Sequence, residues 1–264
     1  MSHPTYVGRV PRSGPAVLVA LMLPLLCSGA LLAQGRGAAP APPTARSAAP
    51  VDLTGNWVAV ISEDWRWRMV TPSKGDFPSV PLNMKGQAVA EAWDPAKDEA
   101  AGEQCRAYGA PGLMRGPTRL RISWQDDRTL KLDTDYGTQT RLFRFGAAAA
   151  AATGPRTWQG SSRAEWVATG GGRGGGAQRF GYMKAVTTNL RPGYLRKNGV
   201  PYSATAVFTE QFDLITRANG QRYLVVTNIV DDPVYLQSPW ITALHFTREA
   251  DGSKWDPSPC DARF

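Results

Sequence analysis

Glu210 and His245 are the two residues whose type and setting best suit acid–base chemistry. Glu210 lies in the run 204–213, where Ala206, Phe208, Glu210 and Phe212 fall on one face of an extended chain. A carboxylate between two phenylalanines is costly to desolvate unless it is paired or protonated. There it can bind a ligand or act as general acid or base. The plainer reading is that this face points outward, or that an inward arginine neutralises it. His245 alternates with Ile241, Ala243 and Thr247 and is the only histidine besides His3. It is the natural general base near neutral pH; a lone histidine on a half-apolar strand also serves as a hydrogen-bonded structural residue. Glu165 and Asp64 are further carboxylates that would suit glycoside cleavage if either stood beside Glu210. No serine occurs in Gly-x-Ser-x-Gly, so that class of hydrolase gains no support.

The candidate ligand-binding residues are Trp65, Trp67, Arg191, Tyr194 and Tyr202, together with Glu210 and His245. Trp65, Trp67 and Met69 alternate with Arg66 and Arg68 in the run 64–70, which reads as a strand with one wet face. Exposed aromatics there would stack on flat apolar ligands, and core packing explains them equally. Arg191, Tyr194, Arg196, Lys197 and Tyr202 sit in the long connection 189–202, long enough to cover one mouth of a barrel. The glycine run 170–176 lacks the Gly-Lys-Ser/Thr ending of a phosphate loop and reads as a hairpin tip.

The elements that must hold these residues are strands. Residues 204–213, 222–230 and 240–248 form three consecutive runs, broken at Ala218-Asn219-Gly220 and Asp231-Asp232-Pro233. Upstream runs cover 52–60, 119–124, 129–134, 138–145, 157–168 and 179–188. Leu120, Ile122, Trp124, Leu130, Leu132, Phe143 and Phe145 take the inward positions by period two. Asn83 caps one short early helix over about 84–93, with Ala88, Val89, Ala92 and Trp93 on one side. Residues 105–117 read as irregular, and the six alanines within 146–155 as a loop insertion. About ten strands with no βαβ pattern predict an all-β, antiparallel up-and-down β-barrel, with a sandwich as the alternative.

The chain has 264 residues and a formal charge of +8. Residues 1–33 read as a signal peptide, with Arg9 and Arg12, an apolar stretch 16–26 and small residues before a cleavage point after Ala33. The apolar stretch is shorter than the ~20 residues of a spanning helix, so no membrane span is expected after cleavage. Without that leader the 30 basic residues fall to 28 against 22 acidic ones. These are interspersed, which argues against a nucleic-acid patch. Residues 34–50 are a Pro/Ala-rich linker, and a single folded domain is expected over 51–264. Cys27 falls within the leader. Cys105 and Cys260 remain and are expected to pair in an oxidising compartment, periplasmic or extracellular. With one histidine left, a metal site is not expected, nor is a cofactor.

Gly55-x-Trp57 at the start of the first strand resembles the lipocalin signature, in which the tryptophan packs across the closed end of the barrel. The stretches 52–57, 105–114, 186–190 and 230–240 resemble a group of secreted bacterial proteins of unknown function, with Ala110 where that group has methionine. The resemblance implies export and a β-rich fold and carries no activity. Three functions follow as expectations. The first is a secreted or periplasmic, lipocalin- or calycin-like barrel that binds a small apolar molecule in its interior. The second is an enzyme using Glu210 and His245 in the same cavity. The third is a structural or interaction module of the envelope with a solid core.

Overall fold

Period-two apolar runs separated by turn residues leave the chain little choice but hairpins, and hairpins in series close on themselves when both edges need partners. The computed structural model describes Gly14 and residues 42–62, 65–149, 154–169 and 180–263. The expected leader, Cys27, Asp64 and the glycine run 170–176 lie outside the described residues.

In chain order the molecule begins with β1 (Gly55–Ala59). A helical connection follows: α1 (Trp65–Arg68), α2 (Met84–Glu91), α3 (Pro95–Ala100), a 3-10 turn Gln104–Tyr108 and α4 (Ala110–Leu113). Then come β2 (Arg119–Asp126), β3 (Thr129–Thr134), β4 (Thr140–Phe145), β5 (Ser161–Ala168) and β6 (Gly181–Thr188). A small hairpin, β7 (Gly193–Tyr194) and β8 (Pro201–Tyr202), precedes β9 (Val207–Thr216), β10 (Arg222–Asp231) and β11 (Trp240–Glu249).

Nine strands close a barrel in the order β1-β11-β10-β9-β6-β5-β4-β3-β2. The β4–β5 seam is parallel, with Phe143 opposite Ser162. The sheet is therefore mixed, where the sequence pointed to antiparallel strands throughout. The cause is the connection 146–160, which carries the chain across so that β5 re-enters in the direction of β4; a parallel pair needs a crossover of that length. Residues 146–149 of this connection form a 3-10 turn.

Other local expectations are corrected. The run 64–70 is not a strand: α1 occupies it, with Arg68 buried and Trp65 and Met69 exposed. Its alternation also fits one helical turn, and burying the Arg68 stem against carbonyls that accept its nitrogens outweighs the pattern. Arg68 Nε donates to Arg115 O at 3.0 Å and Nη1 to Val60 O at 2.9 Å. Residues 105–117 hold the 3-10 turn and α4 instead of irregular chain. In α2, Asn83 does cap, its side chain accepting from Gly86 N at 2.9 Å. The buried face is Gly86 and Ala90, while Ala88 and Ala92 are exposed. A Cβ on Gly86 would stand 2.5 Å from Tyr235 O, so only glycine allows this approach. Residues 42–50, the last part of the expected linker, lie on the barrel: Trp166 Nε1 donates to Ala45 O at 2.7 Å and Arg46 N to Asp127 O at 3.1 Å.

Side chains from all nine strands fill the interior. Trp57, Leu120, Ile122, Leu130, Leu132, Phe143, Ala164, Met183, Phe212, Val226 and Phe246 belong to one contiguous core. Each large apolar side chain buried this way contributes roughly 1.5–3 kcal/mol. Trp57 is wholly buried, its Nε1 donating to Leu53 O at 3.0 Å, and the Arg248 guanidinium lies 5.3 Å from its ring. A second core closes one barrel end, where Leu190, Leu195, Val200 and Tyr202 pack on Phe208, Val230 and Trp240. The connection 189–202 thus covers a mouth as its length suggested. Cys105 and Cys260 form a disulfide across 155 positions of sequence.

Candidate functional site

Glu210 points into the barrel between Phe208 and Phe212, with no solvent exposure. Its partner is Arg141 on β4. Arg141 Nη1 donates to Glu210 Oε1 at 2.7 Å and Nη2 to Oε2 at 2.5 Å. Nη2 also donates to Thr187 Oγ1 at 3.3 Å, and the Thr187 and Ser162 hydroxyls are 2.7 Å apart. The guanidinium lies 4.8 Å from the Phe143 ring and 5.6 Å from the Phe208 ring. Burial pushes the Glu210 carboxyl up, and the Arg141 charge and hydrogen bonds pull it down. Both carboxylate oxygens are engaged and neither side chain reaches solvent, so the pair is built to hold strands together. The sequence carried a signal for it: Arg141 has the same parity as Phe143 and Phe145 on β4.

His245 does not join this network. Glu210 pairs across the sheet with Asn228, whereas His245 pairs with Val225, and Val225 with Asp213. An odd offset along β9 separates Glu210 from Asp213, so His245 faces outward while Glu210 faces inward. The expected acid–base pair is not formed, and the reason is strand parity. Glu165 is likewise outward, 3.5 Å from Lys184, while its neighbour Ala164 is in the core row with Ala185 and Glu210. It makes no two-carboxylate site with Glu210.

The remaining candidates gather at the capped end, with one exception. Trp65 is 60% exposed on α1. Trp67 sits in a narrow cleft with Arg115, Tyr136, Arg196 and Lys197. The Arg196 guanidinium lies 5.3 Å from the Trp67 ring and 5.6 Å from Trp240; Arg115 lies 4.9 Å from Trp240. Tyr194 is a clamp: its hydroxyl donates to Asp98 Oδ2 at 2.7 Å, and Arg106 Nη1 donates to Asp98 Oδ1 at 2.6 Å. Arg191 pairs with Glu103 and stacks 4.4 Å from Trp158. Tyr202 is wholly buried against Gly109 and Gly193, and its hydroxyl has no hydrogen-bond partner among the described residues.

Lys197 is the residue here with the most altered chemistry. Burial lowers its ammonium to about 8, with Asp261 opposing the change, and its Nζ lies 4.9 Å from the Tyr136 ring. Burial pushes the Tyr136 and Tyr194 hydroxyls up. Arg115, Tyr136, Asp98 and Arg106 were not singled out from sequence; they come from three separate segments that only the fold brings together. Among the described residues no three His, Cys, Asp or Glu side chains cluster as metal ligands would. No family model, curated protein or solved structure matches this chain.

Proposed function

We propose that this chain is an exported β-barrel module with a solid core, acting as a structural or interaction component of the cell envelope. The observation that carries the reading is the Arg141–Glu210 pair in the middle of the barrel, with apolar side chains packed on either side of it. It ranks above an interior site for a small apolar molecule because the pair and its phenylalanines occupy the space such a ligand would take. The Cys105–Cys260 bond supports an oxidising compartment. Among the described residues no helix is long and apolar enough to cross a membrane. The Gly55-x-Trp57 start and the wholly buried Trp57 support a lipocalin-like ancestry in which one seam has become parallel.

Native mass spectrometry of freshly purified, secreted protein tests this. The reading expects the mass of the chain cleaved after Ala33, free of adducts. A stoichiometric apolar adduct would overturn it in favour of a carrier.

A further inference from the structure

The C-terminal tail crosses the capped end of the barrel. Past β11, Trp255 lies 4.1 Å from the Arg121 guanidinium. Ser258 N donates to Asp135 O at 2.9 Å, and Thr138 Oγ1 donates to Ser258 O at 2.8 Å. Asp261 N donates to Tyr108 Oη at 3.2 Å, and Arg263 Nε to Glu99 Oε2 at 2.8 Å. Cys260 is bonded to Cys105 on the 3-10 turn. Ala262 is buried and shares a narrow cleft with Lys197, Tyr194, Arg106 and Trp93. Lys197 stands between this cleft and the one lined by Trp67, Arg115, Tyr136 and Arg196.

We propose that residues 256–263 are a strap latched over Lys197 by the Cys105–Cys260 bond, and that thiol reduction of the bond opens the Lys197 amine to carbonyl compounds. The strap has little else to hold it. Pro257 and Pro259 donate no backbone hydrogen bonds, and Asp256, Pro257, Pro259, Asp261 and Arg263 are exposed. Its hydrogen bonds contribute about 1 kcal/mol each, and the exposed Arg263–Glu99 pair less. Such a segment opens locally once its covalent tie is cut.

The chemistry balances in two steps. An external dithiol gives two electrons and two protons to the Cys105–Cys260 bond, leaving two protein thiols and becoming a cyclic disulfide. The neutral Lys197 nitrogen then attacks the carbonyl carbon of an aldehyde. The carbonyl oxygen leaves as water with the two amine hydrogens, and a C=N bond remains. A buried amine held largely neutral near pH 8 suits this role. The groups around it are Asp261 from the strap, Tyr136 and Tyr108 from the barrel end, and Arg106, Arg115 and Arg196 from the cap. When the strap leaves, Asp261 leaves with it, and the cation-rich wall that disfavours the ammonium stays.

The test is reductive alkylation of the full mature protein with propanal and cyanoborohydride near pH 8, read by peptide mapping at Lys197 and at exposed Lys85. Dithiothreitol should raise labelling at Lys197 by about tenfold or more and leave Lys85 unchanged, as a local opening does. A Cys105→Ser/Cys260→Ser variant should label at the higher rate without reductant. Hydrogen exchange at the amides of Ser258 and Asp261 should accelerate on reduction even if the variant folds poorly. An unchanged Lys197 rate overturns the proposal, and so does an equal rise at Lys85, which reports general unfolding.

Discussion

Glu210 and His245 stand on opposite faces of the sheet formed by β9, β10 and β11. Glu210 is in register with Asn228, and His245 with Val225, three positions away along the same middle strand. One faces a packed interior, the other the outside of the barrel. Glu210→Gln should therefore cost about 3–5 kcal/mol of stability, because it leaves the Arg141 charge buried without its counter-ion. His245→Gln should cost no more than about 1 kcal/mol, as for most positions outside a core. Urea unfolding of the two variants checks both figures.

Tyr202 buries a hydroxyl that finds no partner among the described residues, pressed against Gly109 and Gly193. Removing an unsatisfied buried polar atom is neutral or stabilising. Tyr202→Phe should unfold at the same temperature as the wild type or above it, by up to about 1 kcal/mol in stability. A clear loss in calorimetry would mean that the hydroxyl is bonded.

Lys197 gives stability a pH dependence of definite sign. Its folded-state value is about 8, below the ~10.4 of an unfolded lysine. Between those values the unfolded chain binds more protons, so this group makes stability rise with pH through that window. Its full penalty is present below about 8. Lys197→Met should exceed the wild type in unfolding free energy at neutral pH, and the gap should narrow towards pH ~10. Chemical denaturation across this range measures the difference, in which contributions of the tyrosines cancel.

Gly112 in α4 is where the cap is tightest against backbone. A Cβ there would stand 2.5 Å from Tyr194 O and 2.9 Å from Ala107 O. Gly112→Ala should cost about 1–3 kcal/mol by forcing the cap off the barrel end. Gly154→Ala, with nothing near, should stay within about 0.5 kcal/mol. Thermal melts of the two side by side decide this.

The barrel strands were legible because their apolar spacing admits one period only. The run 129–134 coincides with β3, and 222–230 and 240–248 fall within one residue of β10 and β11. The direction of β5 was not legible, since nothing in residues 146–160 says whether the chain turns back or crosses over. The run 64–70 misled because Trp and Arg alternate there for a reason other than sheet facing: Arg68 is the residue that goes inside. Glu210 was legible as an inward carboxylate. Its partner Arg141 lies 69 positions away, and only barrel closure puts β4 opposite β9. The Lys197 cleft was half legible, as basic and aromatic residues in a long connection; Arg115, Tyr136 and the tail arrive from elsewhere in the chain.

The central claim is that the Arg141–Glu210 pair is an internal tie in a filled barrel. A double-mutant cycle of Arg141→Met and Glu210→Leu in denaturant unfolding tests it most directly. The account predicts that the double variant retains at least about 2 kcal/mol more stability than the two single losses added together. Single losses that add to within about 0.5 kcal/mol would contradict it, since residues that do not touch behave that way.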